Sequence, residues 1–218
     1  DYSIVIPEAD GKMRFWRNTS VATLASGQSA TLPVGTLGYE WDAELDNGFR
    51  PPGLVRLSST TLTIGSVLQD FGSTYSNGTL NHALTLYRHS SGARVFGAGT
   101  VQWSWGLDSN HQLGSEPADV RMQQATVNLL ADMNSQPGSL RPGLVPATAS
   151  TDLTAPTSAI TAPAAGATLP TNTAVTISGT AADTGGVVGG VEVSVDGGAT
   201  WRRATGRASW SYSWTPTT

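Results

Sequence analysis

A proline-rich stretch without any aromatic residue divides this chain of 218 residues into two parts. It runs from Arg141 to Thr157 and contains three prolines, which is the composition of a linker and not of a packed core. Every histidine, methionine and phenylalanine precedes it. We therefore predict a first domain over residues 1–140, a linker over residues 141–155 and a second domain over residues 156–218. We expect any chemistry to lie in the first domain.

The second segment alternates apolar and polar residues, as half-buried strands do. The alternation is clearest in residues 174–179 and 191–196. Gly197 and Gly198 follow and favour a tight hairpin, because glycine readily adopts positive φ. The pattern predicts an all-β immunoglobulin-like sandwich. Such a domain usually needs about 100 residues, so we expect its last strands to be missing from residues 156–218.

The first segment mixes strand and helix patterns. Residues 82–88 and 93–103 are typical of a hairpin that leads into a long, buried strand. An amphipathic helix should follow, with Ser115 as its N-cap, Pro117 in its first turn and its end at Pro137. A buried strand, a loop and an amphipathic helix in this order indicate part of an α/β fold with a mixed sheet.

The composition excludes several functions. There are 12 basic and 16 acidic residues, and Lys12 is the single lysine, so the chain cannot present a basic stripe to nucleic acid or to an anionic membrane. No run of about 18 apolar residues is present, so we expect no membrane insertion. The absence of cysteine removes disulfides and thiolate chemistry. Cysteine avoidance with few charges is common in exported bacterial proteins, and we expect a secreted or cell-surface location.

The loop after residue 103 is the first place where a site is expected. In an open α/β sheet, ligands bind beyond the carboxyl ends of the strands. There, Asp108 and His111 would orient and polarise a substrate, and Trp103 and Trp105 would line a sugar or amide pocket. In the alternative interpretation, Asp108 satisfies backbone donors and the tryptophans cover the end of the sheet.

Glu40 is a separate candidate. It lies between Tyr39 and Trp41, where partial burial would make its carboxylate either costly or functional. A structural role is the alternative, and the acidic residues around it do not follow the spacing of a calcium-binding loop. His82 and His89 flank a predicted strand without a ligand partner at metal spacing, and we expect both on the surface.

Residues 191–201, Val-Glu-Val-Ser-Val-Asp-Gly-Gly-Ala-Thr-Trp, resemble the strand–turn–strand signature of bacterial immunoglobulin-like modules. They also resemble the dimerisation domain of sulfite oxidases. The resemblance implies a β-sandwich module, of which the motif covers about one half. No molybdenum is expected, because the cysteine that sulfite oxidases use is absent.

Four pieces of the first segment resemble the C-terminal part of the large subunit of N,N-dimethylformamidase. They are residues 15–22, 37–42, 84–88 and 95–108, the last reading Val-Phe-Gly-Ala-Gly-Thr-Val-Gln-Trp-Ser-Trp-Gly-Leu-Asp. The similarity covers about residues 1–135. It implies an exported multidomain bacterial protein in which a glutamine-amidotransferase-like α/β domain precedes immunoglobulin-like modules.

The resemblance also implies a cofactor. Characterised family members hydrolyse a small formamide at a mononuclear iron that is held by two tyrosines and one glutamate. In this sequence only Glu40 matches, because Tyr39 would point to the opposite face of a strand and Tyr87 lies inside a hairpin. We expect the tyrosines upstream of Asp1, with iron in the full-length protein and none in this chain alone. Gly38 provides no side chain at the position where a histidine would assist catalysis.

The sequence thus leaves two functional hypotheses. In the first, the chain is the C-terminal fragment of a secreted amidohydrolase-like protein, is inactive alone, and acts on a small amide together with upstream domains of the same polypeptide. In the second, it is a cell-surface or polysaccharide-binding module, whose aromatic side chains stack on sugars and whose immunoglobulin-like part is a spacer.

Overall fold

The computed structural model describes residues 2–112, 114 and 117–217. The described residues form mostly strands, with few helices. Two compact units are present and are described separately: residues 1–45 with 56–150, and residues 46–55 with 151–218. No helix in the described part of the chain combines the length and the apolar character needed to cross a membrane.

The strands of the first unit are β1 (Val5–Pro7), β2 (Ser29–Thr31), β3 (Val55–Arg56, of which Arg56 lies in this unit), β4 (Thr60–Gln69), β5 (Thr74–His82), β6 (Thr85–Arg88) and β7 (Arg94–Gly97). They form three small sheets, with the strand orders β1-β2, β3-β6-β7 and β4-β5. The pairs β1–β2, β4–β5 and β6–β7 are antiparallel. The α-helices of this unit are α1 (Glu8–Gly11) and α2 (Val120–Asp132). The expected α/β fold with a mixed sheet is not supported by this arrangement of short antiparallel sheets.

The core of the first unit is built around Trp16, which is fully buried. Its indole Nε1 donates a hydrogen bond to the carbonyl oxygen of Leu57 at 2.7 Å. This bond satisfies the only polar atom of a large buried side chain, as a stable core requires. Fully buried apolar side chains from distant parts of the unit join the core: Ile4, Ile6, Leu32, Leu37, Leu84 and Met122.

The predicted hairpin is present, but the long buried strand after it is not. The turn between β6 and β7 falls at residues 89–93, as the sequence predicted. However, β7 ends at Gly97 and Val95 is 40% exposed. The reason lies two residues further on, where Gly99 adopts a φ of 58° that a regular strand cannot contain. Trp103 therefore begins a short 3-10 helix, Trp103–Gly106, instead of ending a strand.

Helix α2 begins later and ends earlier than predicted. The predicted cap, Ser115, lies outside the described residues, and Pro117 precedes the helix. Asp119 is the N-cap, and its carboxylate accepts a hydrogen bond from the backbone N–H of Arg121 at 2.8 Å. Asn134 adopts a φ of 58°, so the helix ends before Pro137 is reached.

Residues 140–147 lie against α2. Leu140, Leu144 and Ala147 contact Val127 and Ala131 in a small apolar cluster. The first unit reaches Ser150, so the change from one unit to the other falls inside the stretch predicted as a linker. The exact domain boundaries stay a prediction.

The strands of the second unit are β8 (Thr157–Ala162), β9 (Val175–Ala182), β10 (Glu192–Val193), β11 (Arg202–Arg203), β12 (Thr205–Gly206) and β13 (Ser209–Trp214). They form a four-stranded sheet with the order β12-β13-β9-β8 and a two-stranded sheet of β10 and β11. Side chains from both sheets, including Ile177, Val193 and Trp210, share one buried cluster. A β-carbon on Gly179 would lie 2.3 Å from the Trp210 ring, so only glycine fits beneath that indole.

Two features of the second unit differ from the sequence prediction. Gly197 and Gly198 do adopt positive φ, but eight residues connect β10 to β11, so the turn is a longer loop and not a tight hairpin. In addition, the distant segment 46–55 belongs to this unit. It is held there because Arg50 forms an ion pair with Glu192, whose other carboxylate oxygen accepts a hydrogen bond from the backbone N–H of Gly53 at 2.9 Å.

Candidate functional site

Glu40 lies in a bend of the backbone, and this bend is held by residues 99–101. The backbone N–H of Val101 donates to the carbonyl oxygen of Glu40 at 3.2 Å, and the N–H of Asp42 donates to the carbonyl oxygen of Gly99 at 2.9 Å. Between these bonds, Trp41 and Thr100 form an antiparallel bridge. The backbone of Glu40 is therefore fixed, and the loop that contains the candidate tryptophans begins two residues after Val101.

The side chain of Glu40 is exposed. Tyr39 is 72% exposed, so the partial burial that was expected between two aromatic residues does not occur on this side. Trp41 is turned inward, where its ring meets the ring of His82 edge-on with a centroid distance of 6.1 Å. The bend at Tyr39 and Glu40 thus leaves both side chains exposed, whereas the Trp41 indole packs against the unit.

The side chain of Gln102 occupies the space beside Gly38. The sequence analysis did not identify Gln102 as a residue of this site. A β-carbon on Gly38 would lie 2.0 Å from the Gln102 Oε1. Gln102 is only 2% exposed, and its Oε1 is buried without a hydrogen-bond partner among the described residues. The signal that could have identified it is a polar residue between the apolar Val101 and Trp103, in a stretch that was predicted to be a buried strand.

His82 is buried, which contradicts its predicted place on the surface. Its Nε2 lies 2.9 Å from the carbonyl oxygen of Ala98, and its Nδ1 has no hydrogen-bond partner in the described part of the chain. Burial lowers the pKa of His82, although the Ala98 carbonyl and the charges of Asp42 and Glu44 act to raise it. The imidazole is therefore neutral at physiological pH. His89 is exposed, as predicted.

Trp103 and Trp105 have different surroundings. Trp103 is half-buried and packs near Phe15 and Phe96, with ring centroid distances of 6.2 Å and 5.7 Å. Its contacts are those of a packing residue. Trp105 is also half-buried, and it stacks on the ring of His111 with a centroid distance of 4.4 Å and an interplanar angle of 12°. The structure therefore brings together one predicted binding residue and one predicted catalytic residue.

Asp108 is exposed on the same loop. Its Oδ1 accepts a hydrogen bond from the backbone N–H of Asn110 at 2.8 Å. Its Oδ2 lies 3.5 Å from Arg141 Nη1. The first of these contacts is the one that the alternative interpretation of the loop expects of Asp108, and the ion pair with Arg141 was not predicted.

The family resemblance implies an iron held by two tyrosines and one glutamate, and the residues present match this set only in part. Glu40 offers an exposed carboxylate, but Tyr39 is its neighbour in the chain and Tyr87 lies in β6, opposite Val95 of β7. No group of three or more histidine, cysteine, aspartate or glutamate side chains is placed to hold a metal within the described residues. Of the two tyrosines and one glutamate that the resemblance implies, the described part of the chain matches only the glutamate, at the exposed Glu40, and does not fit a complete iron site.

Two family models match the chain. Residues 1–116 match the family described as N,N-dimethylformamidase beta subunit-like, C-terminal. Residues 156–218 match the bacterial Ig domain. No curated protein and no solved structure matches. These matches confirm the resemblance to dimethylformamidase and to bacterial immunoglobulin-like modules, while a glutamine-amidotransferase-like fold stays a prediction.

Proposed function

Because this chain belongs to the N,N-dimethylformamidase beta subunit-like family by a match over more than half of its length, we propose that it serves amide hydrolysis. In this proposal it is the C-terminal part of the enzyme and works together with preceding domains of the same polypeptide on a small amide. Alone, it is inactive. The protein is secreted or held at the cell surface, and the support for this is the lack of cysteine and the low charge.

The observation that carries this proposal is the placement of Glu40. Its side chain is exposed, while its backbone is held by the hydrogen bond from Val101 and by the neighbouring bridge between Trp41 and Thr100. A carboxylate on a fixed backbone can be presented to a second domain without a large loss of conformational freedom. Glu40 would thus contribute one carboxylate ligand to an iron whose remaining ligands come from elsewhere in the polypeptide.

The chemistry that such an ion supplies when bound is Lewis-acid activation of an amide and of water. The residues of this chain have a supporting part. Gln102 fills the space beside Gly38 and so supports the segment that carries Glu40. Neutral His82 packs behind Trp41 on the same segment. The described contacts of Asp108 are a backbone N–H and Arg141, and we assign Asp108 to the loop structure in this function.

The test uses the longer polypeptide that this proposal requires, with its preceding domains. Glu40→Gln should lower both the iron content and the rate of dimethylformamide hydrolysis, because it removes a charged ligand and keeps the side-chain shape. Glu8→Gln is the matched control, because Glu8 lies on α1, outside the segment that carries Glu40, and forms an ion pair with Lys12. This variant should retain both the iron content and the rate of hydrolysis. Equal iron and activity in the two variants would refute the role of Glu40. Hydrolysis by the purified 218-residue chain would refute its dependence on other domains.

The second candidate function is polysaccharide binding. The observation that favours it is the exposure of aromatic rings, with Tyr39 at 72% and Trp201 at 46%, together with the half-buried Trp105. Aromatic faces stack on sugar rings. A glycan array with the 218-residue chain tests it, with Trp105→Ala and Trp201→Ala tested separately. If deletion of residues 156–218 leaves any binding unchanged, the immunoglobulin-like module is a spacer.

A further inference from the structure

A long hairpin, formed by β4 and β5, extends from the first unit. At its base, Thr60 and His82 lie opposite each other and are buried. The base is tied to the unit by a hydrogen bond from the backbone N–H of Val5 to Thr60 Oγ1 at 2.8 Å and by one from the N–H of Glu44 to the carbonyl oxygen of Asn81 at 2.8 Å. Toward the tip, most residues of both strands are exposed. Among the described residues, no third strand joins this sheet.

The tip of the hairpin presents apolar side chains to solvent. Leu68 and Tyr75 lie opposite each other and are 58% and 67% exposed. Phe71 lies in the turn, and its side chain is fully exposed. Asp70 and Phe71 adopt φ values of 48° and 56°, a left-handed conformation that is costly for residues other than glycine. Asp70 Oδ2 accepts a hydrogen bond from Thr74 Oγ1 at 2.7 Å, which fixes this conformation.

The edges of the hairpin have almost none of the usual protection against strand pairing. Natural edge strands are protected by charged side chains, by proline or by bulges. Residues 60–81 contain no proline, lysine or arginine, and Asp70 is their single charged residue. A bulge between Ile64 and Val67 interrupts β4, whereas β5 has no extra residue. The edge of β5 from Thr74 to Leu80 is thus the better template for another strand.

One face of the hairpin is apolar and incompletely covered. By the observed register, Leu62, Ile64 and Val67 share this face with Leu80, and all four are only half-buried. Two strands alone are marginal in water, and three or more are needed before an apolar face is stable. The hairpin therefore gains hydrogen bonds along its free edge, and becomes part of a wider and more stable sheet, if another strand pairs with it.

We propose that the hairpin is a homodimerisation element, in which β5 pairs with β5 of a second copy, antiparallel, about a two-fold axis. A second copy is the partner that these observations favour, because a hairpin without basic residues and with one acidic residue attracts neither anionic nor cationic surfaces. The two-fold axis pairs the same edge of each copy, so the two paired edges match in length. The antiparallel direction also places the two Asp70 carboxylates at opposite ends of the paired strands. Each Phe71 then lies beside the base of the hairpin of the other copy.

The exposed area is consistent with this partner. Fully buried aromatic side chains contribute roughly 150–250 Å² each. Two copies of Phe71 and Tyr75, with the two paired β5 edges, thus supply part of the roughly 1,200–2,000 Å² of a stable interface. The pairing creates one four-stranded sheet.

The first experiment is sedimentation equilibrium of the 218-residue chain between 1 and 100 µM, where we expect a dimer. Asn77 lies at the middle of the free edge, so Asn77→Lys places two like charges at the two-fold axis and should raise the dimer dissociation constant about tenfold or more. Thr63→Lys is the matched control, because it adds the same charge to an exposed position on β4. A monomer at all concentrations overturns the proposal, and so does a dimer that both variants weaken equally or that Asn77→Lys leaves intact.

A second experiment uses the absence of cysteine from the chain. Asn77→Cys brings two thiols together across the axis, where the spacing of opposite residues suits a disulfide. Mild oxidation should give a covalent dimer rapidly. Thr63→Cys should stay largely monomeric, and equal cross-linking of the two variants would overturn the β5 assignment.

Discussion

The amide oxygen of Gln102 lies where a β-carbon on Gly38 would have to be. That β-carbon would lie 2.0 Å from Gln102 Oε1, 2.4 Å from Cδ and 2.7 Å from Cγ. Both residues are buried, and the backbone N–H of Gly38 donates a hydrogen bond to Thr100 Oγ1 at 3.0 Å, so neither partner can move freely. A glycine at position 38 is therefore a packing requirement, two residues before the exposed Glu40.

Gly38→Ala should lower the free energy of unfolding by about 1–3 kcal/mol, because the added methyl group must displace Gln102. Urea unfolding measures the loss. Gly138→Ala is the matched control, since nothing lies within 4 Å of a β-carbon there and its φ is not positive. Adding Gln102→Ala to Gly38→Ala should restore part of the stability. An equal loss from both glycine substitutions would contradict this account.

The buried His82 predicts a pH dependence of stability. Burial lowers its pKa in the folded chain below the ordinary value of 6.5. Between the lowered pKa and pH 6.5, the unfolded chain binds a proton that the folded chain does not, so stability rises with pH across this window. The contribution is fully present above pH 6.5 and decreases as the pH falls. His82→Gln should therefore reduce the difference in unfolding free energy between pH 5 and pH 7.5.

The control for this prediction is His89→Gln. His89 is exposed and lies beside Ser91, with 2.8 Å between its Nδ1 and the Ser91 Oγ. The variant should keep the pH dependence of the unmodified chain. If His82→Gln and His89→Gln change it equally, burial of His82 is not its cause.

The sequence identified features that depend on local signals. The β6–β7 hairpin was predictable because Gly92 supplies a positive φ between two apolar runs. The β4–β5 hairpin was missed because it is rich in threonine and serine and faces solvent along much of its length, which weakens the alternation of apolar and polar residues. Helix α2 was predicted to begin too early because Asp119 is a competing cap inside the predicted helix.

The surroundings of the candidate site depend on contacts between distant residues. His82 is buried because Trp41 and Ala98 meet around it, and neither contact leaves a periodic signal in the sequence. Trp103 was predicted to line a pocket, but Phe15 from near the start of the chain packs on it. Glu40 was selected because it lies between Tyr39 and Trp41, and then because it matches the family's glutamate. The partial burial expected from its neighbours was wrong, since its exposure depends on the fold around it.

Asn128 joins α2 to the first turns of the chain. It is fully buried, and its Nδ2 donates hydrogen bonds to the carbonyl oxygens of Phe15 at 2.8 Å and Arg17 at 2.7 Å. Asn128→Ala would remove their donor and should lower the free energy of unfolding by about 2–4 kcal/mol, although alanine favours helix. Leu130→Ala, at a partly exposed position of the same helix, should cost much less. Urea unfolding of both variants tests this, and similar losses would count against the role of Asn128.

Asp196 organises the loop between β10 and β11, and its pKa is the most direct test of that loop. The hydroxyl of Thr200 donates to its Oδ2 at 2.5 Å, and the Thr200 N–H donates to its Oδ1 at 2.9 Å. The Thr200 hydroxyl first and then this N–H lower the pKa of Asp196 to about 2. Thr200→Val removes the hydroxyl donor and should raise the pKa toward 3.8, whereas Thr173→Val, at an exposed threonine in another loop, should not. Because the pKa is lowered in the folded chain, the contribution of Asp196 to stability is present above pH 3.8 and is lost as the pH falls toward 2.

The chemical shift of the Asp196 carboxyl carbon, followed by NMR from pH 1.5 to 6, measures this pKa. A midpoint near 3.8 in the unmodified chain would show that the loop does not form these hydrogen bonds.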